Sequence, residues 1–186
     1  LKKLNGYDTE NFLVHCKNKS KYILKKYPFS NENLSLVKAE NNCLEYLRKR
    51  NKSSYPSPIY TTNKNSFVLV KIKSKKYIVR LLSYLDGVFL GELDLKRQDL
   101  KKVGRFIGNL SKELKNYSND SIASRKWPWD IQNLSLNKKY LKYIPDPNDR
   151  KIVLFFFQQF EEFVFPQLDK LRTSIIHNDT NEWNIL

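Results

Sequence analysis

Short apolar runs separated by turn residues dominate the first ninety positions of the chain. The stretch "NFLVHCKNKSKYILKKY" has two such runs around the turn-forming "KNKSK", and "SFVLVKI" and "YIVRLLSYL" flank "KSKK" in the same way. Both patterns predict β-hairpins, and residues 1–4 supply an opening strand. Prolines 56 and 58 place a loop before an extended edge. We therefore expect a small antiparallel sheet.

One helix is predicted between the two hairpins, with Ser30 or Asn31 as its cap. Its apolar positions at helical spacing are Leu36, Val37, Ala39, Cys43, Leu44 and Leu47. After Asp86 and Gly87 the pattern becomes helical throughout. Leu100, Val103, Ile107, Leu110 and Leu114 form one apolar stripe.

A further helix is predicted in "DPNDRKIVLFFFQQFEEFVFPQLDKLR", with Asp149 as its cap and Pro166 at its kink or end. We expect its buried face to comprise Phe156, Phe160, Phe163 and Val164, and the phenylalanines at 155–157 to belong to the core. The sequence thus predicts an α+β protein with a strand-rich lobe over residues 1–85 and a helical lobe over 86–186. A cleft between two lobes is a natural ligand site.

Charge narrows the choice of ligand. The chain has 34 Lys and Arg against 19 Asp and Glu, a net charge of +15. The most one-sided stretch runs from Lys64 to Arg80, with six basic residues and no acid, and is expected to be a hairpin with a solvated outer face. One interpretation is a non-catalytic basic module for RNA or an acidic partner. The lysines are scattered, however, which disfavours a nucleic-acid surface, and an anionic ligand such as a nucleotide phosphate draws on the same charge.

The sequence also bears on the cellular location of the protein and on whether the chain is part of a longer one. No apolar run reaches the roughly 18 to 20 residues that span a bilayer, and the N-terminus lacks the apolar core of a secretion signal. Cys16 and Cys43 are too few for a disulfide scaffold, so we expect a cytoplasmic protein that does not bind membranes. The chain has no Met and stops directly after the strand-like "NIL". We expect it to be a portion of a longer protein.

The chemistry is concentrated in "SIIHNDTNEWNIL", where His177, Asp179 and Asn184 follow a phosphotransferase spacing. A carboxylate such as Asp179 can orient an attacking hydroxyl and take its proton. An amide oxygen five residues later can turn back to bind Mg²⁺, which prefers oxygen ligands, and the His braces the loop. The flanking "II" and "IL" are expected to be strands.

The loop resembles that of the aminoglycoside phosphotransferase and choline kinase superfamily, and is most similar to the hydroxylysine kinase-like branch. The stretches "LNGYDTENFLV", "YILKKY", "YIVRLLSYLDG", "VGRFIGNLSKEL" and "KWPWDIQN" follow in the family's order, so the resemblance covers essentially the whole chain. It implies a bilobal protein-kinase-like fold, with the C-terminal lobe incomplete. It also implies transfer of the γ-phosphate of ATP or GTP, with Mg²⁺, to a hydroxyl of a small amine-bearing metabolite, with 5-hydroxylysine as the leading candidate.

The resemblance also implies roles for individual residues. Lys25 would hold the α- and β-phosphates and pair with Glu40, for which Glu45 is the alternative, while Lys26 would face the opposite side of its strand. Asp179 would be the catalytic carboxylate, with His177 bracing its loop, and Asn184 a metal ligand. The residues expected to contact the nucleotide through a turn or through backbone groups are Gly6, Tyr7, Asp8 and Asn11 over the phosphates, and Ser83, Tyr84 and Leu85 at the purine edge.

Two departures from the family pattern qualify these roles. The phosphate turn has one glycine instead of G-x-G-x-x-G. A second metal-binding Asp is expected shortly after the strand that begins at Ile185, beyond Leu186, so we expect residues 1–186 alone to be catalytically inactive. A degenerate kinase fold used as a scaffold is the remaining alternative.

Overall fold

Six strands in the described part of the chain form one antiparallel sheet. The computed structural model describes residues 1–6 and 9–186. The strands are β1 (Lys2–Leu4), β2 (Glu10–His15), β3 (Lys21–Pro28), β4 (Pro58–Ile59), β5 (Val68–Ile72) and β6 (Lys75–Ser83). Their order is β1-β2-β3-β6-β4, and β5 also pairs with β6. The α+β class predicted from the pattern of apolar residues is confirmed.

Both predicted hairpins form, and left-handed residues close their turns. Lys19 has a φ of 66° in the turn between β2 and β3, where the Cys16 N–H donates to the Ser20 carbonyl at 2.9 Å. Lys73 has a φ of 54° in the turn between β5 and β6. The turn composition therefore identified both hairpins, although β6 begins at Lys75, two residues before the predicted run, and neither left-handed position is a glycine.

Helix α1 (Asn31–Arg48) follows β3 and lies against the sheet. Of the two predicted caps, Ser30 is the one used, since its Oγ accepts the Asn33 N–H at 3.0 Å. Val37 is buried with Tyr27 of β3 and Ile78 of β6. This apolar cluster joins the helix to the sheet because all three side chains face the same interface.

The second half of the described chain is helical. Its elements are a 3-10 turn (Leu90–Glu92), α2 (Arg97–Leu114), α3 (Asp120–Ala123), a 3-10 segment (Ile131–Tyr143), α4 (Pro147–Gln159), a π turn (Phe160–Val164) and a final 3-10 segment (Phe165–Lys170). Leu110 and Leu114 of α2 form a second cluster with Leu47 and Tyr55. Helix α1 therefore contributes to both cores and connects the sheet to the helices. No helix in residues 1–6 and 9–186 is long and apolar enough to cross a membrane.

The predicted cap and buried face of the last long helix require correction. Asp146, not Asp149, caps α4, because its carboxylate accepts the N–H groups of Asn148 and Asp149. Phe157 and Phe160 are buried, whereas Phe156 is 62% exposed. Phe155, Phe163 and Val164 are also exposed, so the core assignment of 155–157 and most of the predicted face were wrong. Residues 152–157 are consecutive apolar residues that point to several sides of the helix, so periodicity alone could not select the face that packs.

Loss of the Ser30 cap should destabilise α1. Replacing Ser30 with Ala removes the acceptor of the Asn33 N–H, and we expect the free energy of unfolding to fall by about 1 kcal/mol. The matched control is Ser35→Ala, at an exposed position inside the same helix, which should be neutral or slightly stabilising. Denaturant titration of both variants measures the difference, and equal effects would contradict this capping role.

Candidate functional site

Two of the predicted site residues, Lys25 and Asn11, lie side by side across the sheet. Lys25 of β3 is directly opposite Asn11 of β2 on one side and Arg80 of β6 on the other. Residues opposite each other in antiparallel strands share a face, and buried Arg80 contacts α1 residues. Lys25 therefore faces the α1 side of the sheet. Lys26 is on the opposite face, where it pairs with Glu10 at 2.6 Å.

Arg80 lies at the β6 end of this row and is 4% exposed. Its guanidinium donates to Asn41 Oδ1 at 2.8 Å, to the Tyr27 hydroxyl at 2.6 Å and to the Glu40 carboxylate. Its Nε has no hydrogen-bond partner among the described residues. The expected Lys25–Glu40 ion pair is thus replaced by Arg80–Glu40. A buried guanidinium requires a counter-charge, and its planar fork can engage several acceptors at once.

Lys25 is half-buried next to this cation. Burial lowers the pKa of Lys25 most, the Arg80 guanidinium lowers it further, and the Glu40 carboxylate partly opposes both effects. No hydrogen bond or ion pair of the Lys25 ammonium is present within residues 1–6 and 9–186. A desolvated cation beside a second cation favours the arrival of an anion.

The turn before β2 is organised by Asn11. Its Nδ2 donates to the Asn5 carbonyl at 3.1 Å, and its Oδ1 accepts the Thr9 hydroxyl at 3.1 Å. A Cβ at Gly6 would collide with the Thr9 carbonyl oxygen and the Asn11 amide. Glycine is therefore required for this close approach. The predicted residues Tyr7 and Asp8 lie outside the described residues.

The backbone at the end of β6 and just after it was expected to contact the edge of a purine, but one of its N–H groups is already hydrogen-bonded. The Ser83 N–H donates to the Ser57 carbonyl at 2.8 Å, and Ser83 Oγ accepts the Ser57 N–H at 2.8 Å. The Ser83 N–H is therefore already used and is not available to a purine. The Lys21 ammonium lies 4.8 Å from the centre of the Tyr84 ring and pairs with Asp86 at 2.7 Å.

The predicted catalytic loop brings His177, Asp179 and Asn184 together. His177 Nδ1 accepts the Asp179 N–H at 3.3 Å, and Asn178 between them is left-handed with a φ of 62°. Asn184 Nδ2 donates to the Asp179 backbone carbonyl and to its Oδ2, each at 2.8 Å. The Asp179 carboxylate is exposed, so a ligand can reach it. His177 thus makes a side-chain hydrogen bond within the loop.

This loop is attached to the segment that leaves the sheet. The Leu90 N–H donates to the Ile185 carbonyl at 2.9 Å, and the Gly91 N–H donates to the Glu182 carbonyl at 3.0 Å. Ile175 packs against the cluster containing Leu47. Residues 171–186, all described, contain no strand, so the expected flanking strands were wrong. Their backbone lacks the continuous pairing that defines a strand.

Sequence reasoning missed two residues of the site. Arg80 was assigned to a solvated face, although strand alternation with Ile78 and Leu82 places it on the buried side. A cation at such a position indicates a nearby carboxylate. The second is Asn181, whose Nδ2 donates to Asp179 Oδ1 at 2.8 Å. Its position between Asp179 and Asn184 gave no signal of this contact.

The described residues contain no group of three or more His, Cys, Asp and Glu that could hold a metal ion. A cation at the catalytic loop would therefore depend on the Asn184 amide oxygen together with oxygens supplied by a ligand and by water. Mg²⁺ is commonly bound in this way at phosphate sites, by few protein groups and several other oxygens. In such a site, Asn184 is the residue of this loop that would hold the ion.

Comparison with known proteins agrees with this geometry. A model of the family described as "Phosphotransferase enzyme family" matches residues 2–186. Hydroxylysine kinase of Mus musculus is 28% identical over 200 aligned positions, covering 98% of this chain and 52% of the relative. Hydroxylysine kinase of Bos taurus is 29% identical over 201 positions, covering 98% and 52%. The chain thus spans about half the length of these relatives.

Solved structures show the same fold. An amicoumacin kinase in complex with AMP-PNP, Ca²⁺ and Ami has a TM-score of 0.62 at 18% identity, covering 92% of this chain and 49% of that one. A spectinomycin phosphotransferase in complex with ADP and spectinomycin has a TM-score of 0.54 at 13% identity, covering 100% and 59%. The protein-kinase-like fold expected from the sequence is confirmed.

The contact between Gly87, in the segment that leaves the sheet, and Leu186, after the predicted catalytic loop, should be sensitive to one added methyl group. A Cβ at Gly87 would lie 2.9 Å from Leu186 Cβ, which sits next to its own backbone and cannot rotate away. We expect Gly87→Ala to lower the free energy of unfolding by about 1 to 3 kcal/mol. Thermal and denaturant unfolding measure this change.

The control is Gly104→Ala on α2, where nothing lies within 4 Å of the added Cβ. Alanine is the better helix former, so this variant should gain about 0.5 to 1 kcal/mol. A Gly87→Ala variant as stable as Gly104→Ala would show that the close approach is not required.

Proposed function

Since this chain belongs to the phosphotransferase enzyme family, we propose that it forms the nucleotide-binding and catalytic-loop part of a small-molecule kinase. The observation that carries the proposal is the geometry around Asp179. Its carboxylate is exposed, is held by the Asn184 amide, and follows the bracing His177. This arrangement presents a base to solvent on a fixed loop, as transfer to a hydroxyl requires.

The proposed reaction transfers a γ-phosphoryl group to an alcohol. The acceptor oxygen attacks the γ-phosphorus, the bond from that phosphorus to the bridging oxygen breaks, and the nucleoside diphosphate leaves with the electron pair. Asp179 accepts the hydroxyl proton as the new phosphorus–oxygen bond forms. Positioning and charge stabilisation supply most of the acceleration in such reactions.

The nucleotide would lie on the α1 side of the sheet. The Lys25 ammonium is half-buried, is next to Arg80, and makes no ion pair in the described residues, so it is suited to the α- and β-phosphates. The turn held by Gly6 and Asn11 adjoins Lys25 across the strands and would cover the phosphates. The backbone of Tyr84 and Leu85 would meet the purine edge.

We propose Mg²⁺ with ATP or GTP as the cofactors. Asn184 would hold the metal through its amide oxygen, because its Nδ2 is already committed to Asp179. A bound divalent ion supplies charge neutralisation of the phosphates. Glu40 would act on the nucleotide site through Arg80 and through its electrostatic effect on Lys25, instead of through a direct ion pair with that lysine.

The acceptor class is proposed from the curated relatives. They are hydroxylysine kinases at 28% and 29% identity, which supports a small metabolite that carries both an amine and a hydroxyl. 5-Hydroxylysine is the first candidate. Turnover measured on a panel of amino alcohols, with hydroxylysine among them, tests this choice in the full-length protein. Turnover that no amino alcohol increases would contradict it.

Removing the Lys25 ammonium should weaken nucleotide binding. Loss of one charge-assisted contact costs about 1.5 to 3 kcal/mol, so Lys25→Ala should raise the Kd for the Mg²⁺-nucleotide complex about 10- to 150-fold. Calorimetric titration of the full-length protein measures this. The fold should persist, because the core clusters do not include Lys25.

The matched control is the neighbouring lysine. Lys26→Ala removes an ion pair with Glu10 on the opposite face of the sheet, away from the proposed phosphate site. Its Kd for nucleotide should stay within about twofold of the wild type. Equal weakening by both substitutions would mean that general charge, as in a basic binding module, and not a site at Lys25, attracts the nucleotide.

Replacing the catalytic carboxylate should stop turnover while sparing binding. Asp179→Asn retains size but removes the base, so kcat should fall roughly a hundredfold or more, with nucleotide affinity close to that of the wild type. Steady-state kinetics with the most active amino alcohol provide the measurement. Turnover near the wild-type rate would show that another group takes the proton.

A further inference from the structure

Both carboxylate oxygens of Asp179 accept a side-chain amide. Asn184 Nδ2 donates to Oδ2 and Asn181 Nδ2 donates to Oδ1, each at 2.8 Å. We propose that Asn181 is a positioning residue for the phosphoryl transfer, which holds the Asp179 carboxylate in the orientation that receives the acceptor hydroxyl. This inference rests on the proposed function and extends it to a residue that the family resemblance did not single out.

The orientation of the Asn181 amide is determined by its own neighbours. Its Oδ1 accepts the Trp183 N–H at 2.9 Å. If the amide were reversed, its oxygen would face the Asp179 carboxylate and its NH₂ group would face the Trp183 N–H, which would make both contacts repulsive. The hydrogen-bond network therefore assigns the donor to Asp179, which is the accepted way to orient an amide.

A fixed carboxylate matters here because the loop is exposed. The torsion that turns an Asp carboxylate is broad and weakly restrained, and Asp179 has no burial to restrict it. An ionised carboxylate has about four acceptor positions on its two oxygens. The two amides use one position on each oxygen, so acceptor capacity remains for a hydroxyl. Misplacement of a reacting group by about 1 Å can cost a hundredfold in rate.

Asn181 also forms part of the turn itself, so a test must separate the two roles. Asn181→Asp keeps an oxygen that can accept the Trp183 N–H but removes the donor to Asp179. This variant also places a second carboxylate beside Asp179, so Asn181→Ala, which removes the donor without adding a charge, separates loss of the hydrogen bond from charge repulsion. Asn109→Asp on the exposed surface of α2 makes the same change in charge away from the loop and serves as the matched control.

The experiment compares kcat, KM for nucleotide and melting temperature of the full-length wild type, Asn181→Asp and Asn109→Asp. We expect kcat of Asn181→Asp to fall tenfold or more, with KM within about threefold and an unchanged melting temperature, while Asn109→Asp behaves as the wild type. Asn181→Ala should lose kcat similarly, and adding it to Asp179→Asn should cause little further loss if it acts through that carboxylate.

Several results would overturn the inference. Wild-type kcat in Asn181→Asp would assign the residue to the turn alone, and a loss seen only in KM would assign it to nucleotide binding. Both leave an active wild-type kinase, so the proposed function would stand. A wild type without acceptor-dependent turnover would remove the proposed function, and the inference with it.

Discussion

The ion pair between Arg80 and Glu40 is the constraint on which the rest of the site depends. Arg80 extends from the central strand β6 into the interface with α1 and is almost fully buried. A guanidinium in that position is stable only when its charge is matched and its donors are used. Glu40 supplies the charge, and Asn41 and Tyr27 use further donors. The pair thereby fixes α1 relative to the sheet.

That constraint determines the environment of Lys25. Glu40 is committed to Arg80, so the lysine on the adjacent strand is left beside a second cation and away from full solvation. An anion that binds there lowers the free-energy cost of keeping the Lys25 ammonium charged in a partly buried position. Binding an anion to an exposed lysine would first require the loss of that lysine's hydration. The same helix joins the core of the sheet to that of α2. Changes at α1 should therefore affect both the nucleotide side and the helical side of the molecule.

Much of this architecture could be predicted from the sequence because local patterns are strong in it. The hairpins follow from apolar runs around turn residues, and Ser30 begins α1 as a typical cap. The predicted catalytic loop could be recognised because His177, Asp179 and Asn184 are close together in sequence, and they also meet in space. Local hydrogen bonds of this kind are determined by spacing.

What could not be predicted depends on contacts between distant residues. Glu40 was expected to pair with Lys25, and only the packing of β6 against α1 brings it to Arg80 instead. Similarly, the consecutive phenylalanines of α4 do not specify by their pattern that Phe157 is buried and Phe156 exposed. The Ser57 contact that occupies the Ser83 N–H joins positions far apart in the chain. In each case the local pattern allows more than one contact or buried face, and tertiary packing decides among them.

The most direct measurement is a crystal structure of the full-length protein with Mg²⁺ and a non-hydrolysable ATP analogue. The α1–sheet arrangement predicts that the α- or β-phosphate lies within hydrogen-bonding distance of the Lys25 ammonium, about 3 Å, while Arg80 remains paired with Glu40. Phosphates bound on the Lys26 face of the sheet, or held by other basic residues with Lys25 unoccupied, would contradict the account.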